Sequence, residues 1–207
     1  MSDATSWDER YRGAEFVWRT EPIRFLPGAV EGVAPGRTLD LACGEGRNAV
    51  WLATQGWEAT GVDFSQVGLD KAARLATSND VDVRWIRADA TSWQPDELYN
   101  LVVVFYLQVP EPDRRAAFTV AARALAPGGT LLIVGHDLDN LTGGIGGPQN
   151  PAVLYTPDDV RDDLTAAGVA DLVVDRAERV ERPVDTDSGA RVAIDCLVRA
   201  HRTTRKD

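Results

Sequence analysis

The chain has 207 residues and a formal net charge of −10, from 32 acidic and 22 basic side chains. This length suits one domain with a sizeable core, and the acidic balance argues against a nucleic-acid partner, because phosphate binding needs a basic surface. The N-terminal residues lack the apolar run of a signal peptide, and the longest apolar run, 101–107, is too short to cross a bilayer. We therefore expect a cytoplasmic protein without a membrane partner, in which Cys43 and Cys196 are reduced.

Residues 1–35 are rich in tryptophan and arginine and end near two Pro-Gly pairs. They are predicted to form a helix and a connecting segment that cap the domain rather than a domain of their own. Tyr11 and Trp18 lie in this segment. Aromatic residues at helical spacing can pack into a core, or they can fold over a ligand, and both interpretations stay open.

From Thr38 to the fifth predicted strand, the sequence alternates between short apolar runs and amphipathic segments. This alternation predicts βαβ crossovers in a single α/β domain over 1–207, with a Rossmann-like, seven-stranded, mainly parallel sheet and helices on both faces. The predicted strands are 38–43, 58–63, 82–87, 100–106 and 130–135, and the predicted helices are 46–55, 65–77 and 112–126.

The alternation stops after the fifth predicted strand. Residues 138–156 are rich in glycine and proline, and a loop of this length is a candidate lid over an active site. A helix is predicted over 157–168, with Thr156 as its N-cap. Two further strands, 170–181 and 190–200, are joined by a polar connector too short for a parallel crossover, so they are expected to form an antiparallel hairpin.

The turn after the first strand carries the main functional signal. Gly44 and Gly46 leave bare backbone at the start of a helix, where an anionic or nucleotide-like ligand can approach closely. Asp63 ends the second apolar run, 17 residues after Gly46. A carboxylate at that position typically binds the hydroxyls of a ribose, so the sequence predicts a nucleoside-containing cofactor.

The turn alone is compatible with more than one cofactor. The spacing of Gly44, Gly46 and Ala49, together with Asp63, also fits the fingerprint of an NAD(P)-dependent oxidoreductase. Against that interpretation stand Asp40 inside the first strand and a further acidic residue after the third. The closing hairpin also leaves no second domain to hold a hydride acceptor.

The segment Asp40-x-Ala42-x-Gly44-x-Gly46 resembles the first motif, D-x-G-x-G-x-G, of the class I S-adenosylmethionine-dependent methyltransferases, with alanine in place of the first glycine. The resemblance covers about residues 37–200, and Leu101–Tyr106 is similar to the fourth motif of that family. Trp7-Asp8-x-x-Tyr11 and Trp18-x-x-x-Pro22 resemble the start of small methyltransferases of the tellurite-resistance and thiopurine type. The resemblance implies S-adenosylmethionine as cofactor and S-adenosylhomocysteine as product.

The same resemblance implies roles for individual residues. The glycines of the turn would pass the methionine part of the cofactor, Asp63 would bind both ribose hydroxyls, and Phe64 would pack on the adenine. Asp89 would accept a hydrogen bond from the adenine amino group. The cofactor-binding residues expected on this basis are Asp40, Ala42, Gly44, Gly46, Asn48, Asp63, Phe64, Asp89, Ala90 and Phe105.

A small-molecule methyl acceptor is expected at the carboxyl ends of the strands. His136 and Tyr106 are the candidate catalytic residues, although a histidine at a strand end can equally be structural. The candidate acceptor contacts are Tyr11, Trp18, Leu107, Gln108 and Asp137.

No metal is expected, because Phe105-Tyr106-Leu107 lacks the acidic residue that metal-dependent catechol methyltransferases carry at the fourth strand. The acceptor atom is left open among thiol or chalcogen, oxygen and nitrogen. An oxidoreductase and a non-catalytic protein that binds the same cofactor as a sensor or partner subunit remain the alternatives.

Overall fold

A seven-stranded sheet forms the centre of the computed structural model, which describes residues 4–13, 15–186 and 189–204. The strand order across the sheet is third, second, first, fourth, fifth, seventh, sixth. The first five strands are parallel, and the seventh is antiparallel to both of its neighbours. The strands are β1 (Arg37–Leu41), β2 (Glu58–Asp63), β3 (Val83–Arg87), β4 (Tyr99–Phe105), β5 (Leu125–His136), β6 (Leu172–Thr186) and β7 (Gly189–Arg202). The predicted parallel sheet with a C-terminal antiparallel hairpin is confirmed.

Helices cover both faces of this sheet. In chain order they are α1 (Ala4–Tyr11), α2 (Leu26–Val30), α3 (Arg47–Thr54), α4 (Gln66–Ser78), α5 (Glu111–Arg123), α6 (Asn140–Gly143) and α7 (Pro157–Ala166). Thr156 caps α7 as predicted, and its side chain forms a reciprocal capping box with Asp159. None of the helices in the described part of the chain has the length and apolar character needed to span a bilayer.

Alternation along the central strand β4 builds a core on each face. Leu101 and Val103 pack with Leu26 of α2 and Leu52 of α3, whereas the intervening valines pack against α5 and α7 on the other face. Because β4 is buried on both faces from Leu101 onward, this part of its sequence is continuously apolar. Cys43 and Cys196 are both free and buried, and Cys196 belongs to the core on the α5 face.

The C-terminal hairpin is longer than predicted. The expected connector, 182–189, mostly continues the two strands, so that Arg182 pairs with Ala193 and Thr186 with Gly189. Pro183 is tolerated because β6 lies at the edge of the sheet, where a missing backbone donor leaves no neighbouring strand unpaired.

Two other boundaries differ from the prediction by three residues or more. Helix α5 ends at Arg123 rather than at 126, and the strand assignment of β5 begins at Leu125, well before 130. A register shift between Tyr99 and Leu101 of β4 accommodates the Pro-Gly-Gly segment of β5. The glycine-rich loop 138–156 is partly ordered, because it contains α6 and a short 3₁₀ turn over Pro151–Val153.

Candidate functional site

The turn between β1 and α3 adopts left-handed backbone at three positions. The φ angles are +62° at Ala42, +55° at Gly44 and +79° at Gly46. A Cβ atom on Gly46 would lie 2.5 Å from the Ala72 Cβ and 2.6 Å from the Trp85 ring, so only glycine fits between the turn, α4 and β3. The turn therefore presents bare backbone at the N-terminus of α3.

Asp63, the last residue of β2, is bonded directly to this turn. Its Oδ2 accepts the Gly44 N–H at 2.8 Å, and its Oδ1 accepts the Ser65 N–H at 2.9 Å. Burial raises the pKa of this carboxyl above its ordinary value. Each carboxylate oxygen has a second lone pair, so Asp63 can accept further bonds from ligand hydroxyls.

Asp40 and Asn48 accept hydrogen bonds from backbone N–H groups around the turn. Asp40 is buried, and its Oδ2 accepts the Ala49 N–H of α3 at 3.2 Å. Desolvation raises the pKa of Asp40 to about 7, although this bond works in the opposite direction. The Asn48 Oδ1 accepts the Ile23 N–H at 3.0 Å. Both side chains are therefore engaged by the protein itself, and any contact with a cofactor would be additional to these bonds.

The residues expected beside an adenine follow the ends of neighbouring strands. Phe64 follows β2 and is half-buried, and its carbonyl accepts from Arg87 at the end of β3. Asp89 is exposed, and its Oδ1 accepts the N–H and hydroxyl of Thr91, each at 2.8 Å. Ala90 packs into the core behind Asp89. The sheet thus brings these three residues to the same edge as Asp63.

Helix α1 lies over the same turn. Tyr11 is buried, and its hydroxyl oxygen is 2.8 Å from where a Cβ on Gly44 would stand. Asp8 holds the helix in place, because its Oδ1 accepts the Ser65 hydroxyl and the Val67 N–H at the start of α4. The predicted cap segment therefore contacts the turn at 42–46 itself.

A buried ion pair fixes the next part of the N-terminal segment. Glu45 in the turn and Lys71 of α4 lie 2.8 Å apart, and each side chain is only 3% exposed. The Glu45 carboxylate also accepts the N–H groups of Val17 and Trp18, and Lys71 donates to the Glu15 carbonyl. Sequence reasoning missed this pair, because its partners are 26 residues apart and no local spacing marks them.

A second group of polar side chains lies at the carboxyl ends of β4 and β5. Tyr106 directly follows β4 with φ +54°, a strained conformation for a bulky residue. Its ring centroid is 5.0 Å from that of His136, and its hydroxyl donates to Asp195 Oδ2 at 2.9 Å. Arg182 donates to the same oxygen at 2.6 Å. The structure thus joins the two predicted catalytic residues to Asp195 and Arg182, which sequence reasoning missed. Asp195 was missed because only the pairing of β7 with β5 places it opposite His136.

Arg47 interacts both with the surroundings of the turn after β1 and with the polar side chains at the ends of β4 and β5. It is the first residue of α3 and is half-buried, and it interacts electrostatically with both Tyr106 and Asp40. Burial lowers the pKa of this guanidinium. With Trp18 and Glu45 it lines a cavity of about 20 Å³ between the N-terminal segment and the turn.

The remaining expected acceptor contacts are spread around this edge. The Gln108 Oε1 accepts the His136 N–H at 2.6 Å, and its amide donates to the Val153 carbonyl. Leu107 packs against the core on the α5 face. Asp137 is buried, and its Oδ1 accepts from the Asp139 N–H and from Arg179. Gln108 and Asp137 therefore hold the loop after β5 in place.

Residues 38–129 match the family model described as a methyltransferase domain. A demethylmenaquinone methyltransferase from Thermus thermophilus is 34% identical over 125 residues, which are 59% of this chain and 55% of that protein. Hemagglutinin 1 from Eikenella corrodens is 38% identical over 111 residues, which are 51% of this chain and 36% of that protein. The chain thus spans between about a third and a half of the length of these curated relatives.

A solved structure from work on the conversion of a disulfide bond into a thioacetal group during echinomycin biosynthesis has the same fold. Its TM-score is 0.74 at 22% identity, and the match covers 99% of this chain and 94% of that chain. The structural likeness therefore extends over the whole described fold. The family match adds that residues 38–129 carry the sequence pattern of a methyltransferase domain.

Proposed function

We propose that this chain is a class I S-adenosylmethionine-dependent methyltransferase that transfers a methyl group to a small-molecule acceptor. The observation that carries the proposal is the left-handed turn at 42–46, with the Asp63 carboxylate bonded to Gly44, inside a segment that matches a methyltransferase domain. A bare-backbone turn beside a strand-end carboxylate suits the methionine and ribose parts of one ligand.

The described residues fit this cofactor at each of its parts. The turn and Tyr11 would contact its methionine end, and Asp63 retains lone pairs for the ribose hydroxyls. Phe64 offers a half-buried aromatic face for the adenine, and exposed Asp89 lies at the same edge to accept from the adenine amino group. When bound, the cofactor supplies an activated methyl group on a positively charged sulfur.

The chain itself would align the acceptor with that methyl group. Alignment supplies much of the catalysis in such a transfer, because both reactants are held at the required distance and angle. Tyr106 and His136 lie at the carboxyl ends of β4 and β5, where the acceptor is expected. We assign the acceptor site to this edge, with Trp18 and Gln108 as candidate contacts, and no metal takes part in the proposed reaction.

Most of the methyltransferases that match this chain are named for small acceptors, although a ribosomal RNA methyltransferase also matches. The matched proteins include a demethylmenaquinone methyltransferase and a ubiquinone biosynthesis O-methyltransferase. The net charge of −10 also opposes binding to nucleic acid. The aromatic residues of the N-terminal segment lead us to place the chain with the small methyltransferases of the tellurite-resistance and thiopurine type. We also propose that it acts in the cytoplasm.

Two measurements test the proposal. Calorimetric titration of the full chain with S-adenosylhomocysteine should show binding, whereas NADH titrated in parallel should show none. Transfer of a labelled methyl group should then be followed with a panel of phenols, alcohols, thiols and amines. NADH binding without S-adenosylhomocysteine binding would overturn the proposal and favour the oxidoreductase instead. Cofactor binding with no transfer to any compound would favour a sensor.

A further inference from the structure

Two buried polar atoms face each other at the acceptor edge. His136 Nδ1 and Asp195 Oδ1 lie 3.2 Å apart, and neither has a hydrogen-bond partner among the described residues. The Asp195 side chain is fully buried, whereas the His136 side chain is 14% exposed. A buried carboxylate oxygen without a donor is costly, and a small rotation of the imidazole would complete the bond.

The other oxygen of Asp195 is already occupied. Tyr106 and Arg182 both donate to Oδ2, which leaves Oδ1 as the acceptor for His136. Burial alone would raise the pKa of Asp195, but His136 and Arg182 beside it bring that pKa below its ordinary value. Asp195 is therefore ionised, and an ionised carboxylate can only accept hydrogen bonds.

We propose that Asp195 is a positioning residue that keeps the proton of His136 on Nδ1, so that Nε2 takes a proton from a hydroxyl acceptor. The proposal rests on the proposed methyltransferase function and narrows its acceptor class. A carboxylate that accepts from one ring nitrogen fixes the tautomer and leaves the other nitrogen as a base. Asp195 acts through His136 and does not touch the substrate.

The step balances without a further reactant. The acceptor oxygen forms a bond to the methyl carbon, the sulfur–methyl bond breaks, and its electron pair stays on the sulfur, which becomes neutral. The hydroxyl proton moves to His136 Nε2, and Asp195 stabilises the resulting imidazolium. A thiolate or another nucleophile that is already ionised would need no such base.

The surrounding charges favour a hydroxyl over an amine acceptor. Arg182 donates to Asp195 and lies 5.6 Å from the Tyr106 ring centroid, and half-buried Arg47 interacts electrostatically with the Tyr106 hydroxyl. Two guanidinium groups at this edge disfavour a positively charged ammonium group. They also stabilise the negative charge that develops on an oxygen as its proton leaves.

The tautomer of His136 provides a test that does not depend on turnover. The chain contains only two histidines, so long-range ¹⁵N–¹H correlation spectra with His201→Gln as an assignment aid resolve both. In the wild type, His136 should carry its neutral-state proton on Nδ1. In Asp195→Asn, Tyr106 and Arg182 keep the amide oxygen on their side. The amide NH₂ then faces the imidazole, and the proton should move to Nε2.

A matched control lies on the same hairpin. His201 Nδ1 and Asp175 Oδ2 lie 3.1 Å apart, but both side chains are more than a third exposed. Asp175→Asn should leave the His136 tautomer and methyl transfer unchanged. A wild-type His136 with its proton on Nε2, or a tautomer that Asp195→Asn does not change, would overturn the proposal.

Turnover then tests the acceptor class. For hydroxyl compounds that the wild type methylates, Asp195→Asn and His136→Gln should lower kcat by about 10²- to 10⁴-fold, the range of general base catalysis. Binding of S-adenosylhomocysteine should stay within error. Transfer to thiols but to no hydroxyl compound would overturn the inference. Absence of all cofactor binding would instead contradict the proposed function, and the tautomer spectra would still report on Asp195.

Discussion

Glu45 and Lys71 form a 2.8 Å ion pair that is almost completely shielded from solvent. Glu45 belongs to the turn after β1, and the same carboxylate holds the backbone of Val17 and Trp18. The pair therefore links three parts of the protein: the turn after β1, α4 and the N-terminal segment. The free energy that this pair contributes determines how firmly the N-terminal segment is held over the turn.

Replacing Lys71 by methionine should be strongly destabilising. The change leaves Glu45 buried without its counter-charge, and the loss of one partner of a buried pair typically costs about 3–5 kcal/mol of unfolding free energy. Chemical denaturation measures this loss. The double variant Glu45→Gln/Lys71→Met should lose less than Lys71→Met alone, because no uncompensated charge remains.

A surface ion pair provides the control for this experiment. Arg84 and Asp96 also lie 2.8 Å apart, but both side chains are at least half exposed. Exposed pairs contribute little, because solvent screens them. A loss of stability in Asp96→Ala comparable to that in Lys71→Met would contradict the claim that the Glu45–Lys71 pair matters more because it is buried.

Replacing Ala42 by glycine should stabilise the fold. Ala42 holds φ +62°, a conformation that costs a non-glycine residue about 1–2 kcal/mol. Glycine removes that cost but adds about 0.5–1 kcal/mol of backbone entropy, so a net gain of about 0.5–1 kcal/mol is expected in thermal or chemical unfolding. Ala73→Gly in the middle of α4 is the matched control and should be destabilising. Equal losses in both variants would argue against the left-handed turn.

Asp40 predicts a pH dependence of stability. Its pKa is about 7 in the folded protein, above the ordinary value of 3.8, so the folded state binds more protons than the unfolded state between these values. Stability from this group is present at low pH and is lost as the pH rises from about 4 through 7. Arg47 and Asp63 are the other charged groups that act on it.

Asp40→Asn should remove that part of the dependence. The amide oxygen can still accept the Ala49 N–H, but the side chain no longer ionises. In denaturant titrations, the unfolding free energy of the variant minus that of the wild type should therefore be larger at pH 8 than at pH 5. A stability difference that stays constant over this range would refute an elevated pKa at Asp40.

The loop after β5 is expected to affect turnover more than cofactor binding. Gly147 packs so closely on His136 that a Cβ there would lie 2.7 Å from the imidazole. Removing residues 143–147 should lower methyl transfer to the acceptor and leave the dissociation constant of S-adenosylhomocysteine nearly unchanged. Comparable losses in rate and in calorimetric affinity would rule out a role specific to the acceptor.

Local patterns predicted the elements that carry the cofactor turn. The apolar run before Gly44, the glycine spacing and the acid at Asp63 are all encoded within short segments, and the structure brings them together at one edge of the sheet. The short polar connector between the last two strand-like segments also predicted the hairpin. Its length was wrong, because the edge position that tolerates Pro183 is a property of the assembled sheet.

The group of polar side chains at the carboxyl ends of β4 and β5 was only half predictable. His136 and Tyr106 follow strands and are therefore visible in the sequence, but Asp195 lies inside an apolar run where only the pairing register gives it a partner. Lys71 was missed for a similar reason, since its position in α4 acquires meaning only when Glu45 packs against it. Contacts between distant segments thus account for most of what sequence reasoning missed.

Calorimetric titration of the wild type and Asp63→Ala with S-adenosylhomocysteine tests the central claim most directly. The account predicts that the wild type binds, and that the folded variant binds more weakly by about 1–3 kcal/mol, because the ribose hydroxyls lose their acceptor. Asp96→Ala, which alters a remote exposed carboxylate, should bind like the wild type. An unchanged dissociation constant in Asp63→Ala, or no binding by the wild type, would contradict the account.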